Sequence, residues 1–245
     1  MAYSSKFIDL AEFDALVEQG IVKDMVTASS KALDITKNYD YREAEYKDYK
    51  TTTQYTPSEI AALTDDQKVT HWEVQLSAYA EDNNINATDK ANKKKYLLQC
   101  SEGSKILTLT GVYYDSSEKS FNICIGIGVN DANDSRAYYF SEAYNKKRVA
   151  LAKTLGATKQ VGWLFPDSGL KDTLAGSRNG MTYNQLHSVF KYDTIQVENI
   201  SMQYKYVMPE HKSLPTQDGG GDETIAEHTV HDYTVELIKH TIDYV

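Results

Sequence analysis

The stretch SFNICIGIGV, Ser120 to Val129, decides how the rest of the chain is read. Phe121, Ile123, Ile125, Ile127 and Val129 alternate with Ser120, Asn122, Cys124, Gly126 and Gly128. Strict alternation of β-branched and small residues predicts a strand with one buried face. The opposite face is all small, so another group can approach the backbone closely there.

Upstream, Tyr96 to Cys100 and Lys105 to Tyr114 read as strands on either side of a turn at Glu102-Gly103, so residues 96 to 129 form an antiparallel meander. Downstream, Ser141 caps a helix to Leu155, with Tyr144, Leu151 and Leu155 on one side and Gly156 beyond its end. This helix is expected to pack on the sheet, and the strand Gln160 to Phe165 follows it.

In the last third, Thr194 to Met208 and Thr229 to Val245 read as a long hairpin, although the second segment also fits a helical stripe. The apolar parity flips near Glu198-Asn199 and near Leu237-Ile238, which predicts a bend at each. The loop between them contains Gly219-Gly220-Gly221. Residues 6 to 35 read as two helices, the first with a stripe of Phe7, Leu10, Phe13, Leu16 and Val17. Residues 36 to 55 read as a tyrosine-studded arm, and Thr56-Pro57-Ser58-Glu59 and Thr64-Asp65-Asp66-Gln67 each carry a helix-start pattern. Trp72, Val74, Leu76 and Ala78 then alternate with His71, Glu73, Gln75 and Ser77, as in a half-buried strand.

The fold class expected is α+β: a mainly antiparallel sheet or barrel-like core with one packed helix and a helical N-terminal region. Residues 1–65 form that helical, Tyr-rich region or arm. Residues 66–245 form the β domain, with helix 141–155 and the C-terminal hairpin.

Composition narrows the function classes. A net charge of −9 opposes a sequence-independent grip on nucleic acid and adhesion to anionic membranes. No apolar run reaches the ~18 residues of a membrane span, and the opening MAYSSKFIDLAEF lacks the features of a signal peptide. Cys100 and Cys124 fall in predicted strands and are expected to be reduced and structural, a cross-strand disulfide being the other reading. Tyrosine outnumbers phenylalanine 19 to 6, which fits either interface use or an AT-rich coding bias.

Chemical constellations are sparse. His228 and His231 are the candidate metal pair, with His211 or His240 as a possible third ligand. Two histidines three apart share a face on a helix and oppose one another on a strand, so the expectation is no metal. His71 and Glu73 are the candidate base and orienting carboxylate, weighed against a solvated strand face. His187 stands alone on a short predicted helix opened by Thr182. Gly126-Ile127-Gly128-Val129-Asn130-Asp131 resembles half of a dinucleotide fingerprint, but lacks the third glycine and is expected to have no crossover helix after it. Lys146 to Arg148 are candidate phosphate contacts, weighed against a solvated helix face, which is the expectation. No catalytic residue and no cofactor are expected.

In composition and layout over the whole chain, the protein resembles tailed-bacteriophage virion structural proteins of the tail, neck or portal-vertex type. The resemblance rests on no motif and carries over no residues. It implies a non-enzymatic subunit of a homo-oligomeric ring or tube in a virion assembled in the host cytoplasm, whose partners are copies of itself and other virion proteins. The alternative is a soluble ligand-binding module or enzyme that uses the small-residue face of Ser120 to Gly128 as a ligand floor.

Overall fold

The computed structural model describes residues 2–28, 63–81, 92–129, 141–164, 177–178, 181–182, 188–208, 211–212, 224–226 and 228–245. The arm at 36–55, the helix start at Thr56, the glycine triplet and His187 lie outside these residues.

Capping sets the helices. In α1 (Leu10–Glu18) Asp9 and Glu12 close a capping box, the Asp9 carboxylate accepting from Glu12 N–H at 2.8 Å. α2 (Ile21–Thr27) follows at once. In α3 (Asp65–Ala80) Thr64 and Gln67 close a second box. This segment was expected to turn into a strand at Trp72. It remains helical, because Val69, Trp72, Leu76, Tyr79 and Ala80 recur every three to four residues and all are buried. The alternation seen in the sequence sampled that same stripe at the wrong period. Ser141 Oγ caps α4 (Glu142–Thr154) at Tyr144 N–H, and Gly156 leaves it with φ of 94°.

The strands are β1 (Tyr3–Ile8), β2 (Lys93–Glu102), β3 (Lys105–Asp115), β4 (Ser120–Gly128), β5 (Lys159–Leu164), β6 (Phe190–Met208) and β7 (His228–Tyr244). They form one seven-stranded sheet in the order β1-β2-β3-β4-β5-β7-β6. Two separate pairs, Ser177–Arg178 with Met181–Thr182 and His211–Lys212 with Thr224–Ile225, lie outside it.

The coarse expectation of α+β, with the 96–129 meander and the 194–245 hairpin, matches this sheet. Several details do not. Phe7 belongs to a strand that pairs with β2, not to a helix. More than one helix packs on the sheet. α1, α2 and α3 bury Phe13, Val22, Met25, Trp72 and Leu76 against Leu97, Leu109, Ile125 and Ile127 on one face, while α4 buries Tyr144, Val149 and Ala152 against Val112, Phe121 and Ile242 on the other. α3 comes close enough to β3 that a Cβ on Gly111 would meet the Tyr79 ring at 2.6 Å. Finally, β4 and β5 run parallel, so β4–α4–β5 is the crossover unit that was expected to be missing after Gly128.

The β6–β7 ladder is regular through Glu198↔Lys239, Asn199↔Ile238 and Ile200↔Leu237, where bends were expected. The slips fall between Thr229 and His231 and between Thr241 and Asp243. The reason is exposure: Gln196 to Asn199 lie in the open on an edge strand, Val197 at 56%, so residue parity there carries no burial information.

Candidate functional site

The two edges of β4 are treated differently. Its edge toward β3 is paired from Ser120 to Gly128. Its edge toward β5 is paired only at Ser120, Asn122 and the Phe121 between them, opposite Lys159 to Val161. Beyond that, β5 continues to Leu164 held by β7, and β4 continues to Gly128 held by β3. A gap therefore opens between two parallel neighbours in mid-sheet.

Its cause is visible in the ladder. Gly111 pairs with Ile125 and Val112 with Ile123, so Cys124 is one residue too many for β3, a bulge that bends β4 where it leaves β5. The bulge also exchanges faces. Phe121 and Ile123 pack on the α4 side, whereas Ile125 and Ile127 pack with α1 to α3. The even alternation read across Ser120 to Val129 is thus broken at its middle, and the expected small-residue floor is divided between the two faces. Ser120 and Asn122 are buried, bonded to each other through Asn122 Nδ2 and Ser120 Oγ at 2.8 Å. Gly126 is exposed on the opposite face.

Val129 N–H donates to the Leu107 carbonyl at 2.9 Å. In an antiparallel ladder this fixes the alternation, so Ile125 and Ile127 exchange bonds with β3 while Gly126 and Gly128 turn their amide groups toward the gap. α4 covers one side of it. Tyr144 Oη lies 3.1 Å from Thr108 Oγ1, and Arg148 Nη2 donates to Asn145 Oδ1 at 2.9 Å. Ser141 caps the first turn of α4 and Glu142 adds a carboxylate there, bridged to Lys146 at 2.7 Å, so this helix start is not an open anion site.

At the closed end of the gap, on the α4 side, lies a buried polar group of residues. Gln160 and Gly162 of β5 are opposite Ile242 and His240 of β7, and partners in a ladder share a face. The His240 imidazole lies across Gly162, where any Cβ would overlap it. Among the described residues His240 Nδ1, Gln160 Oε1 and Tyr244 Oη have no hydrogen-bond partner, at residue exposures of 9%, 3% and 4%. Burial, reinforced by the Arg148 charge, lowers the His240 pKa to about 4, so the ring is neutral near pH 7. Burial raises the Tyr244 phenol well above its ordinary value.

The residues singled out from sequence fare otherwise. His71 and Glu73 lie on α3, two positions apart and therefore on different faces, and on the opposite side of the sheet from α4. Burial lowers the His71 pKa to about 4 and raises that of Glu73, the latter against the charge of Lys23. The backbones of His228 and His231 lie on β7 with the ladder slipping between them; their side chains are outside the described residues. Among the described residues no three His, Cys, Asp or Glu side chains gather as metal ligands. Lys146 and Lys147 are exposed as expected, but Arg148 is half-buried against the Tyr144 ring, and its charge is felt by His240 and Tyr244. Among the described residues Cys100 and Cys124 form no disulfide. Gln160 and Tyr244 were missed, and His240 was considered only as a metal ligand. The available signal was a polar residue at a buried parity, in the run Ile238, His240, Ile242, Tyr244.

No family model matches the chain. No curated protein matches it either. Among solved structures it is similar to an acetyltransferase of the GNAT family from Streptococcus pneumoniae, at 9% identity and TM-score 0.38 over 99% of both chains. It is also similar to an N-acetyltransferase from Staphylococcus aureus Mu50, at 10% identity and TM-score 0.35 over 99% of both chains. A third is the ribosomal-protein-S18-alanine N-acetyltransferase from Escherichia coli, at 8% and 0.33 over 69% of this chain and 74% of that one. These neighbours are acetyltransferases and not phage proteins, which corrects the expected virion resemblance, the structural-subunit function and the expectation of a non-enzyme. Overlaps this loose assign no activity to this chain. Among the described residues no helix is long and apolar enough to cross a membrane.

Proposed function

We propose that this chain is an enzyme that binds an acyl thioester carried on an extended amide-bearing arm, of the acyl-coenzyme A kind, in the gap between β4 and β5, and passes the acyl group to a nucleophile. The single observation that carries this reading is the early end of the β4–β5 ladder at Asn122, which leaves, among the described residues, an amide edge at Gly126 and Gly128 with no strand paired to it. A strand edge of that kind recognises extended chains through alternating N–H and C=O groups. The pantetheine arm of coenzyme A carries two amides and is a chain of this kind. Gly126 keeps the edge accessible, since a Cβ there would already press on Thr110 Oγ1 at 3.1 Å and a longer side chain would cover the amides. In the reaction the nucleophile attacks the thioester carbonyl, the new bond to carbon forms, the C–S bond breaks, and the thiol leaves with the proton the nucleophile gives up. The β4 edge contributes by fixing the arm, which lowers the entropic part of the barrier.

Calorimetric titration of the full chain with acetyl-coenzyme A tests this. Binding in the micromolar to millimolar range is expected, with Gly126→Val at least about tenfold weaker, the scale of one or two lost hydrogen bonds. Absence of binding at millimolar ligand, or unchanged affinity in the valine variant, overturns the reading.

A further inference from the structure

Native interiors leave few buried polar atoms unpaired, and each that stays so calls for a partner. Here three fall on adjacent strands of one face: His240 Nδ1 and Tyr244 Oη on β7, and Gln160 Oε1 on β5 between them. All three belong to residues at least nine-tenths buried. Among the described residues Phe121, Phe190, Ile242 and Tyr244 belong to one apolar cluster on this face. The set begins at Gly162, the first β5 residue past the last pair with β4, and runs from the closed end of the gap beneath the paired residues to Tyr244, whose N–H donates to the Thr158 carbonyl at 2.8 Å. Arg148 of α4 stands over the Tyr144 ring at 5.9 Å with its Nε buried, and its charge acts on both His240 and Tyr244.

We infer that His240, Gln160, Tyr244 and Arg148 form a subsite for a carboxylate at the far end of the acyl group, so that the preferred donor is a thioester of a short dicarboxylic acid. This rests on the acyl-thioester reading above and deepens it. A ligand entering from the open end leads with its acyl group, which arrives at Gly162. A carboxylate two residue steps deeper, level with Gln160 and so between His240 and Tyr244, receives hydrogen bonds from an imidazole N–H on one side and the Tyr244 hydroxyl on the other, within the field of the Arg148 charge. The Gln160 amide presents either its oxygen or its NH₂ group, since the two ends exchange by rotation. A methyl-ended acyl group satisfies none of these atoms and leaves them buried and unbonded, which is the stronger source of discrimination.

The test is calorimetry of the full chain with succinyl-, butyryl- and acetyl-coenzyme A. Succinyl and butyryl chains have the same length and differ in the carboxylate. The expected result is a preference of about tenfold for succinyl over butyryl, the scale of one charge-assisted hydrogen bond. Arg148→Gln is expected to reduce that ratio below about threefold, and Tyr244→Phe to reduce it partway; melting curves verify that each variant is folded, and either suffices. Equal affinity for the two esters, or a preference that survives both substitutions, overturns the subsite while leaving acetyl-coenzyme A binding to support the wider reading. Failure of all three esters to bind overturns both.

Discussion

The sheet has two unlike halves. From β1 to β4 both faces are covered, by α1 to α3 on one side and α4 on the other. From β5 through β7 to β6 cover thins out, until Gln196 to Asn199 on β6 lie exposed. The seam between the halves is where pairing fails and where unbonded polar atoms collect. The difference teaches that this molecule concentrates apolar cover on one side and ends a strand ladder early at the boundary.

The sharpest way to break that contrast is Trp72→Ala, in the most densely covered part. Loss of so large a buried ring is expected to cost about 3–5 kcal/mol, read from the midpoint of denaturant unfolding; a loss under about 1 kcal/mol would show that the helical side is not the stable half. Acid comes next. His71 on the covered half and His240 at the seam both have pKa values lowered to about 4 from 6.5. The unfolded chain therefore takes up protons first, and stability falls as pH drops from 6.5 toward 4, by an amount on the order of 3 kcal/mol per histidine. Unfolding curves at pH 7 and pH 4.5 measure this, and His240→Gln is expected to remove roughly half of the change. A stability that is flat over that interval would mean neither ring is held neutral.

A smaller effect is expected at the seam itself. Gly162→Ala forces the His240 ring to move, at a cost of about 1–3 kcal/mol. Thermal melting checks it, and no change would mean that the imidazole has room to swing. Least of all, Val197→Thr on the exposed edge is expected to stay within about 0.5 kcal/mol of the parent. A larger loss would reveal a cover over that strand.

The covered half was the more legible in sequence, with one exception. The meander and the Ser141 helix follow from capping and β-branched runs, which are local signals. Trp72 to Ala80 was misread because a helical stripe and an alternating one share members over a short window. The exposed half misled for the opposite reason, since parity at Glu198-Asn199 reports nothing where neither face is buried. The gap was half visible. The glycines at 126 and 128 marked a close approach, but the extra residue Cys124 is defined only against β3, and the parallel partner is supplied by a strand that returns after α4. His240 and Gln160 needed the β5–β7 register to be brought together, a pairing of residues about eighty positions apart that no local pattern encodes.

β7 lies between β5 and β6 although it follows both in the chain. Before it arrives, β5 has one neighbour for three residues and bare amides along the remainder, and β6 has none in the sheet. A growing polypeptide must therefore hold a slot open, and such raw strand edges are where strangers pair. Pairing across this distance in sequence is also slow. The β7 ladder holds the far edge of β5, one wall of the proposed binding gap, so ligand added during refolding would favour the completed sheet over mispaired edges.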